Sequence, residues 1–124
     1  MKKAFEVFRV SDAKLDFPND GETGSALCRM VDESYNDELG AGMFRIHRDP
    51  ANVNLPYDEI SICIQGLLKL TVDGVQHELK AGEFAWIPKD TNITFDGEHA
   101  VAVYAVYPVN WRQRNEAALA SKND

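Results

Sequence analysis

The chain reads as an all-β domain, an antiparallel barrel or sandwich of short strands. Three observations predict this. Short strand-like apolar runs recur along most of the 124 residues, with turn signals between them. No long helix is visible until the C-terminal end. One pair of runs is joined by Asp73-Gly74, a dipeptide that closes tight two-residue hairpins with both turn residues at positive φ.

Residues 4–10 form the first expected strand. Residues 11–25 are polar and carry Pro18, Gly21 and Gly24, so they read as loop. Residues 26–31 are a second strand, and 32–40 a polar loop. Residues 43–47 alternate Met, Phe, Arg, Ile, His. Residues 49–56 hold two prolines and two asparagines and read as irregular. Residues 57–64 alternate again, with Ile60, Ile62 and Ile64 on one face and Glu59, Ser61 and Cys63 on the other. Runs 67–72 and 75–79 flank the Asp-Gly hairpin. Ala81-Gly82 starts a further turn. Residues 84–87 are a strand ended by Pro88, 93–95 a short strand, and 100–107 the longest apolar run, stopped by Pro108. Residues 113–121 are rich in helix formers and predict a short exposed C-terminal helix. The result is eight or more short strands in one domain, residues 1–124, closed as a barrel or a sandwich.

Composition removes several function classes. The net charge is −7 with no basic stripe, so nucleic acid and anionic membrane surfaces are not expected partners. No run approaches the roughly 18–20 apolar residues of a membrane span. Glu6, Arg9 and Asp12 interrupt the N-terminal segment, so no signal peptide is expected there. Cys28 and Cys63 both sit inside apolar runs. That pattern predicts reduced, buried thiols and a cytoplasmic location. Short motifs for nucleophile elbows, phosphate loops and histidine-pair zinc sites are absent.

One spacing is informative. Glu59 and Gly66 are separated by six residues, and Gly82 and Pro88 by five, with the hairpin between the pairs. This resembles the two signature motifs of the cupins, which implies a small jelly-roll barrel of the RmlC type. In that alignment the usual metal-binding histidines fall on Asn52, Asn54 and Ile93. Of the usual ligand set only Glu59 remains. A closer resemblance rests on Tyr57-Asp58-Glu59-Ile60, Val72-Asp73-Gly74, Ile87-Pro88-Lys89, Ile93-Thr94-Phe95 and Tyr107-Pro108-Val109-Asn110-Trp111. Across about residues 40–111 these strings resemble the cupin domain of the ethanolamine-utilization protein EutQ and its relatives. That family also tends to lack the histidines. The resemblance implies a cupin dimer tied to small-molecule metabolism. Acetate kinase activity and association with a microcompartment have been proposed for EutQ. It carries an additional N-terminal region without counterpart in these 124 residues, so neither property is expected here on the resemblance alone.

Glu59 is the leading functional candidate. A carboxylate among apolar neighbours must be paired or have a raised pKa, and so becomes a candidate proton carrier. The alternative is a structural ion pair with Arg45. Tyr57 shares the Glu59 face by alternation, and Tyr104 matches a tyrosine of the EutQ-like pattern. Each could bind a ligand or simply fill core. Arg45 suggests an anionic substrate. His47 could point inward beside it, or be an ordinary strand histidine. Asn54 and Trp86 complete the expected binding set, with loop shaping and core filling as their alternatives.

The expected function is therefore a metal-independent isomerase or lyase acting on a small polar or anionic metabolite, with Glu59 and Tyr57 catalytic and no cofactor. Two alternatives stay open. One is a non-catalytic binding or sensing module. The other is a noncanonical enzyme holding one divalent metal ion on His47, Glu59 and a tyrosine. The second apolar face, Ile60, Ile62 and Ile64, needs cover and suggests a homodimer.

Overall fold

The computed structural model describes residues 3–16 and 23–122. Among these, seven strands, one 3-10 turn and one helix are found. The strands are β1 (Gly24–Val31), β2 (Gly40–His47), β3 (Ala51–Asn54), β4 (Asp58–Val72), β5 (Val75–Leu79), β6 (Phe84–Ile87) and β7 (Asn92–Tyr107). The helix α1 spans Trp111–Lys122 and the 3-10 turn Val10–Asp12. Every pairing is antiparallel. The path runs β1-β2-β7-β4-β5, with β3 added to β7 and β6 to β4.

The strand count falls short of expectation because runs merge. β4 joins the expected runs 57–64 and 67–72, and β7 joins 93–95 and 100–107. Ladder hydrogen bonds carry each strand across its polar interruption. In β4 the joint is a bulge: register slips between Cys63 and Gln65 and again between Gln65 and Leu67. A bulge bends and twists its strand. One continuous strand can then pair β6 with its first half, β5 with its second and β7 along most of its length.

Two other expectations are corrected. Residues 4–10, the first expected strand, form no strand. Phe5 is 93% and Val7 54% exposed, so no sheet face receives them, and the segment is tied instead through Glu6, which accepts from the Tyr35 hydroxyl at 2.7 Å. Residues 49–56 are not irregular throughout, since β3 lies within them. Pro50 and Pro56 bound this strand rather than break it, and Asn52 pairs with Thr94 in both ladder and side chain. Residues 17–22 of the expected loop lie outside the described residues. The hairpin is as expected, with Asp73 at φ 51° and Gly74 at φ 78°.

The core follows the period of two. Glu59, Ser61 and Cys63 are buried while Ile60, Ile62 and Ile64 on the alternate face are half-buried. Cys63 packs with Ile46, Leu55, Leu68, Leu70, Ile87, Ile93, Ala100 and Ala102. Each large aliphatic group so buried contributes about 1.5–3 kcal/mol of transfer free energy. Both cysteines are free; Cys63 is buried and Cys28 half-buried. No helix among the described residues is long and apolar enough to cross a membrane.

Candidate functional site

Residues of β1, β2, β3, β4, β7 and the start of α1 line a half-open cavity of about 640 Å³. Its frame is aromatic. The Phe44 ring lies 5.9 Å from Phe95 and 6.3 Å from Tyr104, and the Tyr57 ring lies 6.1 Å from Trp111. Leu55, Val106 and Val109 add apolar wall. The polar lining comprises Glu59, the two phenols, Arg45 of β2, Arg112 of α1, and at the β1 side Ser25 and Arg29, with Asp32 and Glu33 beyond them.

Cross-strand register explains why these side chains meet. Gly40, Val106 and Glu59 form one row across β2, β7 and β4, with Ile87 of β6 at its end. Arg29, Gly42, Tyr104 and Ser61 form the next row on the same face. Tyr57 stands just before β4, and Trp111 opens α1 against it.

Glu59 is only 6% exposed and Ser61 fully buried. The Ser61 hydroxyl donates to Glu59 Oε2 at 2.5 Å. Burial raises the Glu59 pKa to about 7, and the Ser61 hydrogen bond works against that rise by favouring the ionised form. A carboxyl group poised near neutrality can both take and give a proton. Burial also raises the Tyr57 pKa, with the Glu59 charge adding to the effect and Arg29 opposing it. Tyr104 is pushed up to about 12, again mainly by burial and again opposed by Arg29. Both phenols therefore stay protonated near neutral pH and can donate hydrogen bonds to an oxygen in the cavity.

Four of the residues singled out from the sequence line this cavity: Glu59, Tyr57, Tyr104 and Arg45, although Arg45 alternates on β2 with Phe44 and Ile46. His47, Asn54 and Trp86 do not. The Glu59 carboxyl takes its hydrogen bond from Ser61, so the alternative of an Arg45–Glu59 ion pair gives way to a hydroxyl–carboxyl pair. His47 shares the Arg45 face. It is buried, stacks on His99 at 3.9 Å, accepts the His99 backbone N–H at 2.9 Å and lies 3.8 Å from Glu98. It sits seven residues along β2 from Gly40, roughly 23 Å at the rise of a strand. His47, Glu59 and a tyrosine are thus not assembled into one site. Among the described residues no three His, Cys, Asp or Glu side chains converge as metal ligands.

Asn54 is exposed and donates to the Asp90 carbonyl at 3.1 Å and to Asn92 Oδ1 at 2.8 Å. It shapes the β3–β7 edge and does not line the cavity. Trp86 is 60% exposed on the outer face, in register with Ile60. It neither floors a pocket nor fills core. For His47 the reason is that alternation tells which residues lie together, and not which of two apolar faces points inward. The residues missed were Ser61, Arg29, Phe44, Phe95 and Trp111. Ser61 alone carried a legible signal, since it alternates with Glu59. Trp111 stood in the Pro-Val-Asn-Trp string without an assigned role.

Comparison with known proteins agrees with this architecture. The profile of the family described as ethanolamine utilisation protein EutQ matches residues 4–113. A curated relative from Clostridioides difficile, named acetate kinase EutQ, is 35% identical over 78 residues, which is 62% of this chain and 50% of the relative. The chain spans half or less of the curated relatives it matches. The crystal structure of a Salmonella typhimurium protein described as a putative ethanolamine utilization protein superposes with a TM-score of 0.73 at 26% identity, covering 83% of this chain and 85% of that one. An RmlC-like cupin from Shewanella frigidimarina superposes with a TM-score of 0.64 at 16% identity, covering 87% and 95%, and that likeness shows the fold alone. The barrel has the jelly-roll fold of the RmlC-like cupins, and the match over residues 4–113 settles the family: the chain belongs to the EutQ family.

Proposed function

We propose that the barrel binds a small polar metabolite and that Glu59 moves a proton on it, as in an isomerase or lyase. One observation carries the reading. A buried carboxyl with its pKa near 7 faces a roomy aromatic cavity beside two protonated phenols. Burying a carboxyl costs free energy, and burial placed in a cavity wall rather than in packed core is the arrangement that tunes a general acid or base. Tyr57 and Tyr104 would orient the substrate and stabilise developing negative charge on oxygen.

Metal-independent chemistry is part of this proposal. Its support is the fate of two histidine positions. Asn52 is engaged by Thr94, and Asn54 by Asp90 and Asn92. The relative's name makes acetate with ATP, and acetyl phosphate with ADP, natural members of a substrate panel beside hydroxy and keto acids. In whichever member turns over, Glu59→Gln is expected to lower kcat roughly 10²–10⁴-fold. Turnover equal to that of the parent protein removes Glu59 from the chemistry. A ligand that raises thermal stability yet is recovered unchanged would favour a binding module instead.

A cytoplasmic homodimer belongs to the same reading. The two free cysteines support the compartment. The support for the dimer is the outer face of β4 and β6, where Ile60 and Ile62 stand in register with Trp86 and Phe84, 60% and 63% exposed. Sedimentation is expected to give a dimer at micromolar concentration, and Trp86→Lys to shift it to monomer without loss of helicity or strand content. A single monomeric species in the parent protein would refute it.

A further inference from the structure

No local pattern in the sequence singles out Arg29. It stands on the edge strand β1, its side chain exposed, in the wall of the cavity. Its row on the inner face runs Arg29, Gly42, Tyr104, Ser61, and Ser61 holds Glu59. Gly42 leaves a gap in that row. A Cβ there would stand 2.5 Å from the Tyr104 hydroxyl and 2.3 Å from the Cys28 carbonyl oxygen. The phenol therefore lies directly over the Gly42 backbone, with no side chain between it and the strand that carries Arg29. The two other guanidinium groups at the cavity are placed differently. Arg45 is on the other face of β2, and Arg112 lies 5.0 Å over the Trp111 ring.

We propose that Arg29 is the anion-recognition residue of this cavity, and that its ligand is a small organic acid carrying a single carboxylate. The carboxylate sits at the β1 side, taking hydrogen bonds from the guanidinium and from the Tyr104 and Tyr57 hydroxyls. The remainder of the molecule lies against Phe44 and Phe95 and reaches toward Glu59. A planar fork matches two carboxylate oxygens. The neighbouring Asp32 and Glu33 disfavour a more highly charged anion. Arg29 acts electrostatically on both tyrosines, which places its charge within reach of the same ligand.

The inference rests on the cavity being a binding site, as proposed above, but not on Glu59 moving a proton. The test is NMR titration of the full chain with acetate, lactate and benzoate, and with benzamide and inorganic phosphate as comparison. The acids are expected to bind more tightly than benzamide and phosphate. Arg29→Gln is expected to weaken acid binding tenfold or more while leaving benzamide binding and the melting temperature unchanged, and Arg29→Lys to recover part of the loss. Equal affinity of the acids for Arg29→Gln, phosphate binding as tightly as the acids, or no acid binding up to tens of millimolar would each overturn the inference. Glu59→Gln separates the two readings. It is expected to retain acid binding, so acids that bind without needing Arg29 refute this inference alone, and a Glu59→Gln variant that turns substrate over at the parent rate refutes only the proton-transfer role.

Discussion

Glu59→Gln is expected to stabilise the protein at about pH 8 and to change its stability far less at about pH 4. The unfolded carboxyl titrates near 4.5 and the folded one near 7. Between these values the folded protein holds a proton that the unfolded chain has released. Stability therefore falls as pH rises through this window, and the loss is complete above the folded pKa. At 1.36 kcal/mol per pKa unit the penalty above pH 7 is about 3 kcal/mol. Glutamine has no proton to lose and its carbonyl can still accept from Ser61, so the variant escapes this penalty. Below the unfolded pKa both side chains are neutral and the difference closes. Urea unfolding of both proteins from about pH 4 to about pH 8 measures it, since all other titrating groups cancel in the difference. A pH-independent difference between the two curves would show that Glu59 does not titrate as a buried group. If Glu59 carries the proposed proton transfer, the same substitution trades activity for stability, the usual direction of exchange at a functional site.

The buried acid was legible in the sequence because two independent signals agreed on it. Alternation in residues 57–64 put Glu59 with Ser61 and Cys63, and the motif spacing placed that face inward. Where only one signal exists, it groups residues without orienting them. Arg45 and His47 lie on a strand whose two faces are both substantially apolar, so periodicity grouped them correctly with each other and gave no sense of direction. Trp86 was in the same position on β6. Arg29 could not have been found by these means. Its place at the cavity comes from β1 lying beside β2 and from the absence of a side chain at Gly42, and both are facts of cross-strand register that no local pattern encodes. The merging of four expected runs into β4 and β7 has a related cause. Turn-like residues such as Gln65-Gly66 end a strand only when no neighbouring strand continues to bind it.

That bulge is where the largest loss of stability is expected. Gly66 and Gly82 are the two framework glycines of the motif spacing, and both have positive φ, 71° and 91°. Sequence treats them alike, while their surroundings differ. A Cβ at Gly82 meets nothing within 4 Å. Gly82→Ala therefore incurs only the left-handed backbone strain, about 1–2 kcal/mol, partly offset by the lower entropy of the unfolded alanine chain. A Cβ at Gly66 would stand 2.1 Å from the His99 carbonyl oxygen and 2.6 Å from that of Glu98. These are backbone atoms of β7 and cannot rotate away. The strands must separate at the bulge, which adds an overpacking cost of about 1–3 kcal/mol. Gly66→Ala is thus expected to cost roughly 2–5 kcal/mol in all, and Gly82→Ala about 1 kcal/mol or less, as read from denaturant midpoints at unchanged m-value. The consequence reaches the site. The bulge sets the register of β4 against β7 three to seven residues from Cys63, Ser61 and Glu59, so Gly66→Ala is also expected to disturb the Glu59 titration while Gly82→Ala leaves it in place. Equal losses from the two alanines would mean that the close approach of β4 to β7 at Gly66 is not what fixes that register.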